Sequence, residues 1–399
     1  MQEEKFPYID RLDETVLDEA ILRFGTPTYV FDVEQAKKRA RAFRGIIGQA
    51  ADLCYAMKAN PFLVRAMAEE VNRIEVCSMG EFRICKQKEI PAEKLLISGV
   101  MKDRDDLWEI LETYGNRCHY TIESLNQYAI LNEWARSSGK KVPVYLRLTS
   151  GNQFGMDEET LTNIVELEQD KDLLEICGIH YFSGTQKKRK KTLEELTYLD
   201  EVFARLKEKT GYQVTELEYG PGLAVPYFAR QADERFETLE AIADALAKMQ
   251  WQGKVTLEMG RAFVADCGYY ITTVKDTKRS GDQNYCIIDG GMHQVNYDGQ
   301  IRGMYQPKLT IRPQGARGIY QNWTICGELC TGNDILVQNI KIDDLRVGST
   351  IIFENTGAYA VTEGMALFLS HVLPAVGLYD PVGGFTQVRA RRETYVWNS

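Results

Sequence analysis

From about residue 28 to residue 265, short β-branched or aromatic runs alternate with longer stretches of helical periodicity. Runs at Asp52–Met57, Ile74–Ser78, Leu95–Gly99, His119–Ile122, Val144–Leu148, Glu175–Phe182, Glu216–Gly220 and Val255–Met259 predict eight strands. Between them, amphipathic stretches at Pro61–Val71, Met79–Lys88, Lys102–Thr113, Glu123–Ser138, Asp157–Gln169, Leu193–Thr210 and Asp233–Met249 predict helices of two to five turns. This order predicts an α/β fold, a (β/α)8 barrel over residues 28–265. A doubly wound open sheet competes with it, because periodicity cannot show closure. After residue 266 the pattern changes to β-rich segments with tight turns: Gly268–Val274, Tyr285–Asp289, Lys308–Ile311, Trp323–Cys326, Ile335–Ile340 and Thr350–Phe353. An all-β domain of residues 266–399 is expected, with residues 1–27, which do not read as a barrel unit, returning to pack on it.

Composition narrows the function classes. Lys and Arg number 48 against 57 Asp and Glu, a formal net charge of −9, so bulk electrostatics recruit neither nucleic acid nor an anionic membrane. No apolar run approaches a membrane span and the first ten residues carry no signal-peptide core, so a cytoplasmic protein is expected. Nine cysteines at irregular spacing, without a CxxC pair, argue against a disulfide framework and a zinc site. The four histidines, His119, His180, His293 and His371, are too scattered to suggest a His-built metal site, and no metal is expected.

In such a barrel the chemistry sits at the C-terminal ends of the strands. Lys58 follows Tyr55-Ala56-Met57 there, and an amine held near apolar walls is a good nucleophile toward carbonyls. The loops after the last two strands read Tyr219-Gly220-Pro221-Gly222 and Glu258-Met259-Gly260-Arg261. Glycines let backbone N–H groups close on a phosphate, and Arg261 adds a fixed charge. The one basic run, Lys187–Lys191, falls in an expected loop after the sixth strand, where it is either solvated or attracts an anionic substrate.

YAMKAN (Tyr55–Asn60), GIHYFSGTQ (Gly178–Gln186), EYGPGLAVPYF (Glu218–Phe228), EMGR (Glu258–Arg261), IDGGM (Ile288–Met292), CGELCTGNDIL (Cys326–Leu336) and NTGAYA (Asn355–Ala360) occur in this order. Together they resemble the fold type III pyridoxal-phosphate decarboxylases, the group of diaminopimelate and ornithine decarboxylases with an alanine-racemase-like barrel. The resemblance implies that Lys58 holds pyridoxal 5'-phosphate as an internal aldimine and that Glu258 pairs with the pyridine nitrogen. It further implies that Thr185, Gly220, Gly222, Gly260, Arg261 and Tyr359 hold the phosphate. Cys330 would come from the second subunit of an obligate homodimer and reprotonate the carbon that lost its carboxylate.

The departures from the family bear on substrate. His180 occupies the first His position of the HYFSGT segment, while Phe182 stands where many members stack a second His on the ring. Thr331 follows Cys330 where diaminopimelate and ornithine enzymes carry the acid that holds a distal amine. Gly291–Asn296 and Glu363–Pro374 resemble the subgroup acting on conjugated or carrier-bound amino acids, which implies a possible carrier-protein partner. Arg302 and Tyr305 instead resemble the carboxylate-binding pair of diaminopimelate enzymes, and for Arg302 an ordinary surface role stays equally open. The expected function is a cytoplasmic carboxy-lyase acting on an amino acid or conjugate without a free distal ammonium. Diaminopimelate decarboxylation, racemisation and a catalytically silent partner-binding homologue are the alternatives.

Overall fold

The first strand of the chain, β1 (Thr28–Asp32), is buried along its whole length. It is not part of a barrel unit, although the sequence reading began the barrel at residue 28. The barrel is made of β2 (Asp52–Ala56), β3 (Arg73–Val76), β4 (Leu95–Ile97), β5 (His119–Ile122), β6 (Val142–Leu148), β7 (Leu174–Phe182), β8 (Glu216–Gly220) and β9 (Lys254–Met259). In this computed structural model, which describes residues 11–312 and 318–399, these eight strands close in sequence order. Closure comes from the parallel pairing of β9 with β2, from Asp52↔Thr256 to Tyr55↔Met259, which removes the open-sheet alternative. Every residue of β6 is buried, as expected where helices cover one face and the barrel interior the other.

Side-chain caps start several of the helices between these strands. Ser78 accepts a hydrogen bond from Glu81 N–H, Ser124 from Gln127 N–H and Asp157 from Thr160 N–H, each cap contributing about 1 kcal/mol. The basic run after β7 corrects the sequence reading. Only Lys187 and Lys188 lie in the loop, because the helix Arg189–Thr210 already includes the other three.

The remaining strands are β10 (Gly268–Ser280), β11 (Gln283–Ile288), β12 (Leu309–Arg312), β13 (Tyr320–Cys326), β14 (Ile335–Asp343), β15 (Thr350–Glu354), β16 (Ala375–Asp380) and β17 (Gly384–Arg389). With β1 they form a nine-stranded sheet ordered β14-β13-β11-β10-β1-β16-β17, while β15 pairs with β10 and with β12. β1 lies antiparallel to β10 and parallel to β16. The helix Glu14–Phe24 covers part of this sheet, packing Leu17 and Ala20 with Val30, Tyr269, Ile271 and Ile352.

The described residues divide into two compact units. The barrel unit holds Ala40–Ala224 and Glu234–Ala262; the sheet unit holds residues up to Arg39, Val225–Asp233 and Phe263–Ser399. Residues 28–39, 225–233 and 263–265, read from sequence as barrel, therefore belong to the sheet unit. Residues 1–10 and 313–317 of the expected β-domain lie outside the described residues.

Candidate active site

β7, β8, β9 and β2 are consecutive neighbours around the barrel, and the candidate residues of the barrel unit lie on or just beyond them. Lys58 sits in the turn Met57–Ala59 directly after β2. Its Nζ donates to Glu75 Oε2 at 2.8 Å, and the Glu75 side chain is only 2% exposed. Cys77 Sγ lies 3.1 Å from the other oxygen, Glu75 Oε1, and 3.6 Å from Lys58 Nζ. Burial, followed by the Glu75 charge, pushes the Cys77 thiol well above its usual range, so it is protonated and donates to that carboxylate.

Glu258 is buried on β9. His180, buried on β7, places Nε2 3.0 Å from Glu258 Oε2. Burial and then the Arg147 charge pull His180 down to about 3, so its imidazole is neutral. A carboxylate offers only acceptors, so Nε2 carries the hydrogen and Nδ1, which has no hydrogen-bond partner among the described residues, is bare.

Two glycine loops meet after β7 and β8. Lys187 N–H donates to the Gly222 carbonyl at 2.9 Å, joining the loop after β7, which carries Thr185, to the loop after β8. Gly222 has a φ of +60°, and a Cβ there would stand 2.1 Å from the Gly184 carbonyl oxygen. Only glycine allows this approach of backbone to backbone. The Phe182 ring lies against Gly220, where a Cβ would fall 2.5 Å from Cδ2. Lys187 is not a solvated member of the basic run: its Nζ pairs with Glu195 at 2.5 Å and donates to Ser183 Oγ and the Gly220 carbonyl. Gly260 and Arg261 follow β9 directly.

The other candidates belong to the sheet unit. Cys330 is exposed in the turn between β13 and β14, and Thr331 beside it is half-buried. Tyr359 adopts a positive φ of 64°. Arg302 is exposed, and the Tyr305 ring packs on Phe228 with centroids 5.1 Å apart.

The sequence reading missed the charged lining of the barrel. Arg73 Nη1 donates to Glu218 Oε2 at 2.6 Å and to Tyr145 OH at 2.8 Å. Burial pushes Glu218 up to about 7, with Arg73 opposing it. Lys102, pulled down to about 8 by burial with Glu123 opposing, donates to the Gly99 carbonyl, Thr121 and Gln127, while Arg147 pairs with Glu123 at 3.0 Å. The available signal was charge inside runs otherwise fit for two-sided burial, such as Glu75 in Ile74–Ser78.

A family model described as pyridoxal-dependent decarboxylase, pyridoxal binding domain, matches residues 33–265. The L-glutamyl-[BtrI acyl-carrier protein] decarboxylase of Niallia circulans is 26% identical over 390 residues, covering 91% of each chain. The diaminopimelate decarboxylase of Aquifex aeolicus is 27% identical over 382 residues, covering 88% of each. The crystal structure of diaminopimelate decarboxylase from M. jannaschii in complex with L-lysine is similar with a TM-score of 0.83 at 23% identity, over 94% of this chain and 91% of that one.

Proposed function

The chain belongs to the pyridoxal-dependent decarboxylases, and on that premise we propose that it removes the α-carboxylate from an amino acid or amino-acid conjugate lacking a free distal ammonium, working as a homodimer. It is a pyridoxal-phosphate-dependent carboxy-lyase. When bound, the cofactor supplies the electron sink for the pair left by departing CO2.

The barrel residues fit this group. An amine and a buried carboxylate stand at the C-terminal ends of the adjacent strands β2 and β9, and Gly222 brings bare backbone against Gly184 in the neighbouring loops. Lys58 would hold the cofactor covalently, its Nζ replacing the aldehyde oxygen, which leaves as water with the amine's protons, and Glu75 is paired to that amine beforehand. Glu258 would hold the proton on the pyridine nitrogen, and neutral His180 would fix the orientation of that carboxylate without adding charge. Phe182 would offer an apolar face to the ring. Thr185, Gly220, Gly222, Gly260, Arg261 and Tyr359 would hold the phosphate, and Cys330 of a second copy would deliver a proton to the carbon that lost its carboxylate.

One observation carries the substrate reading: the turn around Cys330 has no acid to spare for an ammonium. Thr331 has no charge, Glu328 faces His293 and His371 at 3.5 and 3.2 Å, and Asp334 accepts from Met292 N–H and Leu329 N–H. The similarity to a decarboxylase that acts on a carrier-bound glutamyl group supports the same reading and suggests a carrier protein as partner. Diaminopimelate decarboxylation is the rival, favoured by Arg302 and Tyr305.

The test is CO2 release from cofactor-loaded enzyme offered meso-diaminopimelate, ornithine, lysine, glutamate and conjugated glutamyl substrates, with amine products identified by mass. Turnover confined to acidic or conjugated substrates is expected. Rapid turnover of meso-diaminopimelate would overturn the substrate reading, and α-proton exchange without CO2 would replace decarboxylation by racemisation.

A further inference from the structure

The four histidines are scattered in the sequence, yet the sheet unit brings two of them together with a carboxylate. Ligand atoms of His293, Glu328 and His371 all lie within 4.8 Å of one another. Glu328 Oε1 stands 3.5 Å from His293 Nε2 and 3.2 Å from His371 Nδ1. The His293 side chain is 1% exposed, and among the described residues neither ring nitrogen has a hydrogen-bond partner.

We propose that His293, Glu328 and His371 form a binding site for a divalent transition-metal ion, zinc by ligand type. Two imidazoles and a carboxylate are a donor set that zinc takes, leaving a fourth position for water. Around a tetrahedral zinc with bonds of about 2.0–2.1 Å, neighbouring ligand atoms lie about 3.3 Å apart. The two separations measured from Glu328 bracket that distance, so the carboxylate is already placed between both imidazoles at ligand spacing. A buried imidazole whose nitrogens make no hydrogen bond is costly, and a bond to the ion through Nε2, which already faces Glu328, would relieve this. Nδ1 of His293 lacks the second hydrogen bond that orients many metal-bound imidazoles, so the ion should bind about 10- to 100-fold more weakly than in a fully supported site and exchange readily.

The ion would join three segments distant in sequence. Glu328 lies two residues before Cys330. Its backbone N–H donates to the Gly290 carbonyl at 2.7 Å, and Asp334 Oδ1 accepts from Met292 N–H at 2.7 Å. These bonds already hold the Cys330 turn to the turn carrying His293. A metal bond would add His371 and fix the base of the cysteine turn from a second direction. The ion is then a positioning element, and the inference does not depend on which amino acid is decarboxylated.

The experiment uses the full-length, cofactor-loaded protein. After dialysis against EDTA it is re-equilibrated with zinc, and bound metal is measured by mass spectrometry for the wild type, Glu328→Gln and His371→Gln. His371 is partly exposed, so its replacement should leave the fold intact, as the unchanged cofactor absorbance would verify. About one zinc per chain in the wild type is expected, with at least a tenfold loss of affinity in each variant. Cobalt(II) in place of zinc should give visible ligand-field bands in the wild type only. A wild type that retains no zinc after equilibration, or variants that bind as much as the wild type, would overturn the proposal.

Discussion

His180 Nε2 and Glu258 Oε2 are 3.0 Å apart, with both side chains buried. Burial holds His180 down to about 3, so the imidazole is neutral over the physiological range and donates Nε2–H to the carboxylate without adding charge. The unfolded chain takes up a proton near 6.5, whereas the folded one does not until about 3. The contribution of His180 to stability is therefore complete above 6.5 and is lost as pH falls toward 3. At pH 5 the loss should be about 2 kcal/mol. Urea unfolding at pH 7 and pH 5 should show His180→Gln losing about 2 kcal/mol less than the wild type between the two; equal losses would mean that the buried histidine does not titrate as described.

Lys58→Ala should abolish the visible absorbance of the lysine–cofactor Schiff base together with turnover. Glu75→Gln keeps the shape but removes the charge beside Lys58 Nζ. Retained Schiff base with turnover reduced by about 10- to 100-fold is expected there. An unchanged pH–rate profile in Glu75→Gln would show that the ion pair has no part in readying the amine.

At Gly222 an added Cβ meets the Gly184 carbonyl carbon at 3.2 Å as well as its oxygen, and the positive φ adds strain. Gly222→Ala should weaken cofactor affinity at least about tenfold by separating the two loops, a cost of about 1.4 kcal/mol or more. Equilibrium dialysis with pyridoxal phosphate measures this directly. Wild-type affinity in the variant would show that the loop contact does not shape the phosphate site.

Cys330→Ala should leave the cofactor spectrum intact while lowering the decarboxylation rate by about 100- to 10,000-fold. Product formed in D2O should also lose stereochemical purity at the protonated carbon. If the variant instead loses its cofactor, Cys330 has a structural role. Thr331→Glu beside it should raise activity on substrates with a distal ammonium, read as a change in kcat/KM between ornithine and glutamyl substrates.

The barrel was legible because its strands are buried on both faces and so read as apolar runs separated by helical periodicity. The boundaries of His119–Ile122 and Glu216–Gly220 agree with the structure residue for residue. The sheet was less legible. β16 is diluted by Ala375 and Gly377, and β17, although it carries Phe385, Thr386 and Val388, has no fully buried residue and so no one-sided burial to mark it; the pairing of β16 with β1 and of β17 with β16 determines them. Among site residues, Lys58 and the glycines were marked by strand-end position, whereas Glu75 was not. A lone acid in an apolar run acquires meaning only from its partner, and that partner is 17 residues away. The meeting of His293 with His371 was hidden for the same reason.

β1 pairs with β16 in the register Thr28↔Ala375, so one central strand pairing of the sheet joins the two ends of the chain. During synthesis every barrel strand has been made by residue 259, while β1 still waits for a neighbour encoded more than a hundred residues later. The order of translation thus favours a barrel that folds first and a sheet that closes last. A chain stopped before Ala375 would leave one side of β1 unpaired, a buried-type strand exposed as an open edge and a template for aggregation. Completion of the sheet therefore depends on one late event: the arrival of the strand that seals β1.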